Sequence, residues 1–330
     1  MSTPGSSPTR ATTPETTEGS AVGSDPPKGG AGAGETWAVL RMMRWSAEYL
    51  EEKGVERGRL DAEYLLAHAL GTRRLQLYLQ YDRPLTPTEL DAYRPLLLRR
   101  ARREPLQYII GTAGFRELEL AVDPRVLIPR PETEVLVQMV LDRVEGREDL
   151  TALDLGTGSG AIALSLAKEG PFVRLVATDD SADALEVARS NAEAAELAGR
   201  VEFRRGSLFE PVAGETFDVV VSNPPYVART EEDGLEPEVA AWEPADALFA
   251  GPDGLEVLRR IAGDAPTFVE PGGLLALEVG AGQAATVSEG LRDTGAWSEV
   301  GTEKDLAGRE RVVWAVRASG PDGTPPPDAA

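Results

Sequence analysis

The sequence predicts an α/β protein: a mostly parallel sheet flanked by helices, a small helical domain ahead of it, and a β-hairpin joining the two. Three observations carry this expectation. From Pro131 onward, short aliphatic and β-branched runs alternate with helix-length segments, the pattern of parallel strands linked by right-handed crossovers. Between Thr36 and about Tyr108, apolar residues recur at intervals of three and four. A turn with three glycines, Gly156, Gly158 and Gly160, joins the first of the short runs to a helix.

Taken in order, residues 1–34 are mostly Ser, Thr, Pro, Gly and Ala, and bury too little to offset their ordering entropy. They are expected to be disordered, as is the tail 319–330. In the helical domain, 35–111, Leu40, Met43, Ala47 and Leu50 share a face, and Gly54, Gly58, Gly71 and the Pro84/Pro87 pair divide the stretch into short helices. Thr86-Pro87-Thr88-Glu89 reads as a helix start with proline at the first helical position. That helix ends in Arg99, Arg100, Arg102 and Arg103, which either offset the helix dipole or meet an acidic partner. Residues 112–129 read as a linking hairpin, and 130–318 as the sheet domain. There, strands are expected at 152–155, 173–178, 201–204, 217–222, 274–279 and 311–316, and helices at 132–144, 161–168, 182–195, 255–262 and 284–294.

Composition removes several function classes. The 330 residues contain no cysteine, which excludes disulfide scaffolds, thiolate nucleophiles and cysteine–zinc sites. The single histidine, His68, sits in a helical pattern as a surface residue. No metal site is expected. A formal charge of −21 disfavours extended contact with a phosphate backbone, so no stable nucleic-acid binding is expected. No apolar run reaches the roughly 20 residues that span a bilayer, and no signal pattern opens the chain, so the expected location is cytoplasmic, with no membrane partner.

The glycine turn reads Asp154-Leu-Gly156-Thr157-Gly158-Ser159-Gly160, and the next strand ends in Thr178-Asp179. Glycines let the chain turn sharply and let a ligand approach the backbone, and an acid at the following strand end suits the two hydroxyls of a ribose. Both NAD(P) and S-adenosylmethionine fit that outline. The spacing differs from Gly-x-Gly-x-x-Gly, and Asp154 just ahead of the turn would repel a diphosphate but attract an ammonium. S-adenosylmethionine has the ammonium and no phosphate.

The strand 217–222 stops at Asn223-Pro224-Pro225-Tyr226. Two prolines stiffen the backbone and leave its carbonyls as acceptors. An amide or aryl NH2 nitrogen is planar and a poor nucleophile. Two acceptors, the Asn223 side-chain oxygen and the Pro224 carbonyl, can hold its N–H groups and aim its electron density at a sulfonium methyl. Tyr226 can wall or stack on the planar group.

On these residues the chain resembles the release-factor glutamine methyltransferase family, enzymes that modify the Gln of the Gly-Gly-Gln loop in peptide chain release factors. Further matching segments are Glu104–Gly111, Val126–Glu134 with Pro131-Glu-Thr-Glu134, Gly251–Leu255, Pro271–Gly273, Glu278–Gly280 with Gln283, and Lys304–Val312. The resemblance implies a Rossmann-like S-adenosylmethionine-dependent methyltransferase sheet and a helical domain that docks the protein substrate. It implies cofactor binding by Asp154, Gly156, Thr157, Gly158, Ser159, Gly160, Asp179, Leu208 and Asn223. It also implies a glutamine cradle of Asn223, Pro224, Pro225 and Tyr226, with Asn223, Pro224 and Tyr226 catalytic, in an enzyme acting as a monomer. Where the family commonly has an acid near the adenine, this chain has Ser207 before Leu208, which leaves mainly apolar contact there. Asn-Pro-Pro-Tyr is shared with DNA adenine methyltransferases, against which the acidic balance argues; a non-catalytic nucleotide-binding module is the third reading.

Overall fold

A computed structural model describes residues 36–319, so the expectations for 1–34 and for the C-terminal tail past Ser319 lie outside the described residues. The chain forms two compact units, one up to Ala101 and one from Arg102 onward. The first is helical: α1 (Val39–Glu52), α2 (Gly58–Ala69), α3 (Arg74–Leu79) and α4 (Pro87–Ala101). Its core is Val39, Met42, Leu50, Leu65, Leu66, Tyr93 and Leu97. The helix start read from Thr86-Pro87 is a capping box: the Thr86 N–H donates to Glu89 Oε2 at 2.8 Å, and the Glu89 N–H to Thr86 Oγ1 at 3.3 Å. His68 is exposed on α2.

Two arginines at the end of α4 and just past it have partners within the chain. Arg100 is buried and donates to Asp61 at 2.6 Å. Arg103, in the second unit, forks onto the carboxylate of Glu238 at 2.7 and 2.5 Å. Arg100 also lies in the last turn of α4, where a cation offsets the helix dipole.

The second unit runs α5 (Leu106–Ile110), β1 (Thr112–Phe115), β2 (Leu118–Ala121), α6 (Pro131–Arg143), β3 (Leu150–Leu155), α7 (Ala161–Glu169), β4 (Phe172–Asp179), α8 (Ala182–Ala194), β5 (Val201–Arg205), β6 (Phe217–Ser222), α9 (Pro237–Trp242), α10 (Glu256–Asp264), β7 (Val269–Glu278), α11 (Ala284–Asp293), β8 (Trp297–Lys304) and β9 (Glu310–Arg317). Strands β3 to β9 form one sheet in the order β5-β4-β3-β6-β7-β9-β8, parallel except where β9 pairs antiparallel with β7 and β8. Alternate strand residues face opposite layers. Ala152, Val219, Val221 and Ala276 pack with Leu136, Val140 and Ile162 of α6 and α7. Leu153, Val220 and Leu275 pack with Leu258, Ile261 and Leu291 of α10 and α11.

Three elements differ from the sequence expectation, one of them the short helix α9, which was not expected. The hairpin is shorter, its ladder running from Thr112–Ala121 to Phe115–Leu118. Beyond it, Val122, Val126 and Ile128 are buried without joining a strand, in a stretch where Pro124 and Pro129 lack the N–H a ladder needs. Strand β8 was not anticipated; its sequence Trp-Ser-Glu-Val-Gly-Thr-Glu-Lys lacks an aliphatic run because it lies at the sheet edge, only partly buried.

Asn191 on α8 ties the hairpin to the glycine turn. Its Oδ1 accepts the Ala121 N–H at 2.7 Å, and its Nδ2 donates to Ala121 O at 3.1 Å and Ser159 O at 2.9 Å. An Asn191→Ala variant leaves these backbone groups without that partner, the Ser159 carbonyl in a buried setting and the two Ala121 groups in a partly buried one. A loss of about 1–3 kcal/mol for each group not recaptured by water is expected, measured by denaturant unfolding, with faster amide exchange at Ala121.

Candidate active site

Three neighbouring strands end at one level. Leu155 of β3 is the register partner of Thr178 in β4 and of Ser222 in β6. The Ser222 hydroxyl donates to the Leu155 carbonyl at 2.7 Å, locking the two strand ends together. Strands in a sheet lie about 4.8 Å apart, so Gly156, Asp179 and Asn223 emerge side by side at the carboxyl edge where the strand order reverses, the usual ligand position in such sheets.

The glycine turn is held by its backbone. The Gly156 and Thr157 N–H groups both donate to Thr178 O, at 2.9 and 3.0 Å. Gly156 and Gly158 have φ of +69° and +56°, and a Cβ on either would meet nothing within 4 Å. The turn needs glycine for its conformation, and the space above it is open. Gly160 (φ +85°) caps α7, and Ser159 is buried. Asp179 accepts the Gly158 N–H on Oδ2 and the Ser181 N–H on Oδ1, each at 2.9 Å. Burial raises its pKa, and these two backbone donors oppose the rise. Leu208 (φ +47°) is half-buried, and its carbonyl accepts from the Thr178 hydroxyl at 3.3 Å.

Asp154 is 0% exposed and lies beneath the turn rather than on it. Its Oδ2 accepts from Thr157 Oγ1 at 2.7 Å and from the Ala163 N–H at 3.2 Å, while the buried Oδ1 accepts nothing. Burial pushes the carboxyl up to about 7, against the pull of Thr157 and Ala163. An orphaned carboxylate oxygen suits a cationic donor and would be worsened by a phosphate. Acting through its field from beneath the turn, Asp154 fits a cofactor with an ammonium group and no phosphate.

At the end of β6, Asn223 Nδ2 donates to Thr133 Oγ1 at 3.1 Å, and Asn223 Oδ1 accepts no hydrogen bond among the described residues. Pro224 is buried, Pro225 and Tyr226 half-buried, and no donor among the described residues meets the Pro224 carbonyl. The Tyr226 hydroxyl donates to Glu278 Oε1 at 3.1 Å. Burial raises the Tyr226 pKa, and the neighbouring Glu278 charge raises it further.

Sequence reasoning assigned no role to the residues that brace this tetrapeptide. Thr133, at the start of α6, donates to Glu278 Oε2 at 2.6 Å. Gln283 donates to Tyr226 O at 2.9 Å and Gly254 O at 3.3 Å, and accepts the Gly280 N–H at 2.9 Å. Asp305 accepts from Arg311 at 3.3 Å, fixing a cation whose field reaches both Tyr226 and Glu278. Each lies in a segment matched to the family above, which was the available signal; the roles depend on contacts across the fold.

The seven-stranded order, with a glycine turn and an acid at its switch point, defines a Rossmann-like S-adenosylmethionine-dependent methyltransferase fold. The family model for the PrmC N-terminal domain matches residues 41–111, and that for the methyltransferase small domain matches 131–238. The release factor glutamine methyltransferase of Geobacter sulfurreducens is 46% identical over 279 residues, covering 84% of this chain and 96% of that protein. That of Rhodopirellula baltica is 40% identical over 290 residues, 86% of this chain and 97% of that one. Among solved structures, the hMettl16 catalytic domain in complex with MAT2A 3'UTR hairpin 6 superposes with a TM-score of 0.53 at 18% identity, over 70% of this chain and 84% of that one, and shows the shared fold alone. The chain belongs to the release factor glutamine methyltransferase family.

Two outcomes test this geometry. Gly254 has φ +71°, and a Cβ there would lie 2.3 Å from Tyr226 O and 2.9 Å from Gln283 Nε2. Gly254→Ala must therefore displace the tetrapeptide, and methyl transfer is expected to fall at least about tenfold, as when one oriented transition-state contact is lost. For Asp154, the folded pKa of about 7 lies above the ordinary 3.8. The fold favours the protonated form, so this group's stabilisation is complete below its unfolded value and lost as pH rises through its folded value. Melting curves without cofactor should show wild type losing more stability than Asp154→Asn between pH 4 and pH 7.

Proposed function

We propose that the chain transfers a methyl group from S-adenosylmethionine to the N5 amide nitrogen of the glutamine in the Gly-Gly-Gln loop of peptide chain release factors. The observation that carries the reading is the pair of unengaged oxygens, Asn223 Oδ1 and Pro224 O, beside the glycine turn at the level set by Leu155 and Ser222. The names of the relatives supply the substrate class.

Bound S-adenosylmethionine supplies an electrophilic methyl group on a sulfonium. Gly156 to Gly160 and Asp179 would hold it, Asp179 taking the ribose hydroxyls on carboxylate oxygens already fixed by backbone donors. Asp154, buried beneath the turn, would favour its ammonium through its field rather than by contact, and Leu208 with Ser207 would border the adenine. Asn223 Oδ1 and Pro224 O each accept one N–H of the glutamine amide, which fixes the plane of an otherwise weak nucleophile. As positive charge grows on nitrogen, these two dipoles are already oriented toward it, and the methylated nitrogen then releases one of its two protons to solvent to leave the neutral N-methyl amide. Pro225 keeps the backbone rigid, and Tyr226 walls the planar group. The helical unit would serve the docking of the release factor, and the enzyme would act in the cytoplasm as a monomer.

Incubation with labelled cofactor and a release factor should label the loop glutamine, read by mass spectrometry, and leave a factor with that glutamine replaced unlabelled. Equal labelling of both would sink the assignment. Asn223→Ala should keep the fold by circular dichroism and lower kcat about a hundredfold, the scale for one transition-state hydrogen-bonding group. Asp179→Ala should chiefly weaken cofactor binding, seen by calorimetry.

A further inference from the structure

The polar groups behind the tetrapeptide are buried and form a chain of defined polarity. Thr133 is 4% exposed and Glu278 is 1% exposed, and they come from α6 and β7, on opposite sides of the catalytic strand's end in sequence. The Thr133 to Glu278 distance of 2.6 Å is typical of a hydroxyl donating to a carboxylate. Glu278's other oxygen accepts from Tyr226, and Arg311 contributes positive charge nearby. Burial raises the Glu278 pKa, and the two hydroxyl donors and Arg311 oppose the rise; the direction of the relay rests on the short Thr133 contact and on both hydroxyls pointing at the carboxyl group.

A threonine hydroxyl carries one proton. With that proton spent on Glu278, the Thr133 oxygen can only accept. Asn223 must then present its NH2 to Thr133, and a turned amide would set two acceptor oxygens against each other. The Asn223 oxygen is left on the other side of the amide plane. Burial matters here as well, because water offers both donors and acceptors and would satisfy either orientation.

Resting on the glutamine-methyltransferase reading, we infer that Thr133 and Glu278 are positioning residues: a buried hydroxyl–carboxylate relay that sets which end of the Asn223 amide faces the substrate, while the same carboxylate anchors Tyr226. Neither residue touches substrate or cofactor in this role. Both act through Asn223 and Tyr226, so their loss should slow the chemical step and spare cofactor affinity.

The test uses the full chain with a release factor and S-adenosylmethionine. Thr133→Val keeps the shape and removes the hydroxyl, and kcat is expected to fall about tenfold or more. Its Kd for S-adenosylmethionine by calorimetry should match wild type, and Thr133→Ser should restore most of the rate. In the Asn223→Ala background, Thr133→Val should add little further loss, because a relay that works through position 223 has nothing left to orient. Glu278→Gln, which brings a donor where two donors must be accepted, should lower kcat while the melting transition stays cooperative. The inference is overturned if Thr133→Val keeps wild-type kcat, if serine fails to rescue it, or if its effect multiplies fully with that of Asn223→Ala. Failure of the wild-type protein to methylate the release factor would instead overturn the underlying function.

Discussion

The site depends on three parallel strands stopping in register. The hydroxyl of Ser222 bonded to the carbonyl of Leu155 fixes β6 against β3, and Thr178 receives both N–H groups that open the glycine turn. Hydrogen bonds to the backbone carbonyls of Leu155 and Thr178 thus settle the spacing between the two loops before any ligand is considered. A slip of one residue along β6 would turn its side chains to the other face of the sheet, exchanging the layers that Val219 and Val220 occupy. Core packing on both faces therefore protects the position of Asn223.

Around that frame, segments far apart in the chain converge on four residues. Thr133 and Asn223 are 90 positions apart, and Thr133 and Glu278 are 145 apart. Gly254 supplies closeness rather than a functional group, since its missing side chain is what admits the Tyr226 carbonyl and Gln283. Asp305 accepts the Ala307 and Arg309 N–H groups and also Arg311, so a turn between the last two strands holds a cation toward Glu278. Buried polar groups of this kind stabilise only when they are satisfied together, and satisfied together they specify a single arrangement.

What was legible in the sequence was local. Glycines at 156, 158 and 160 announce a turn because positive φ is written in the residue type, and the acid at Asp179 follows from strand spacing. Asn223-Pro-Pro-Tyr226 is a contiguous constellation whose chemistry follows from its own atoms. The bracing network was not legible in physical terms, since a threonine at a helix start and a glutamate ending a strand have ordinary solvated roles in most contexts. The side-chain position of Asp154 was also beyond the sequence: adjacency to the turn suggested an outward charge, while the strand's alternation sends it under α7 to meet Ala163. Edge strand β8 escaped because half of it faces solvent, and the hairpin was drawn too long because buried aliphatics at Val126 and Ile128 imitate a strand without making one.

The position of β9 bears on how the protein is made. It lies between β7 and β8, though both precede it in the chain. Strand β8 thus has no neighbour in the sheet until β9 slots between, and the β7 ladder that ends at Glu278 is open on that side until the same moment. During synthesis the amino-terminal helices and the glycine turn can form early, whereas the edge beside the carboxylate is sealed only after Arg317 has emerged. Until β9 is in place, the carboxylate of Glu278 also lacks the positive charge that Arg311 on that strand brings beside it.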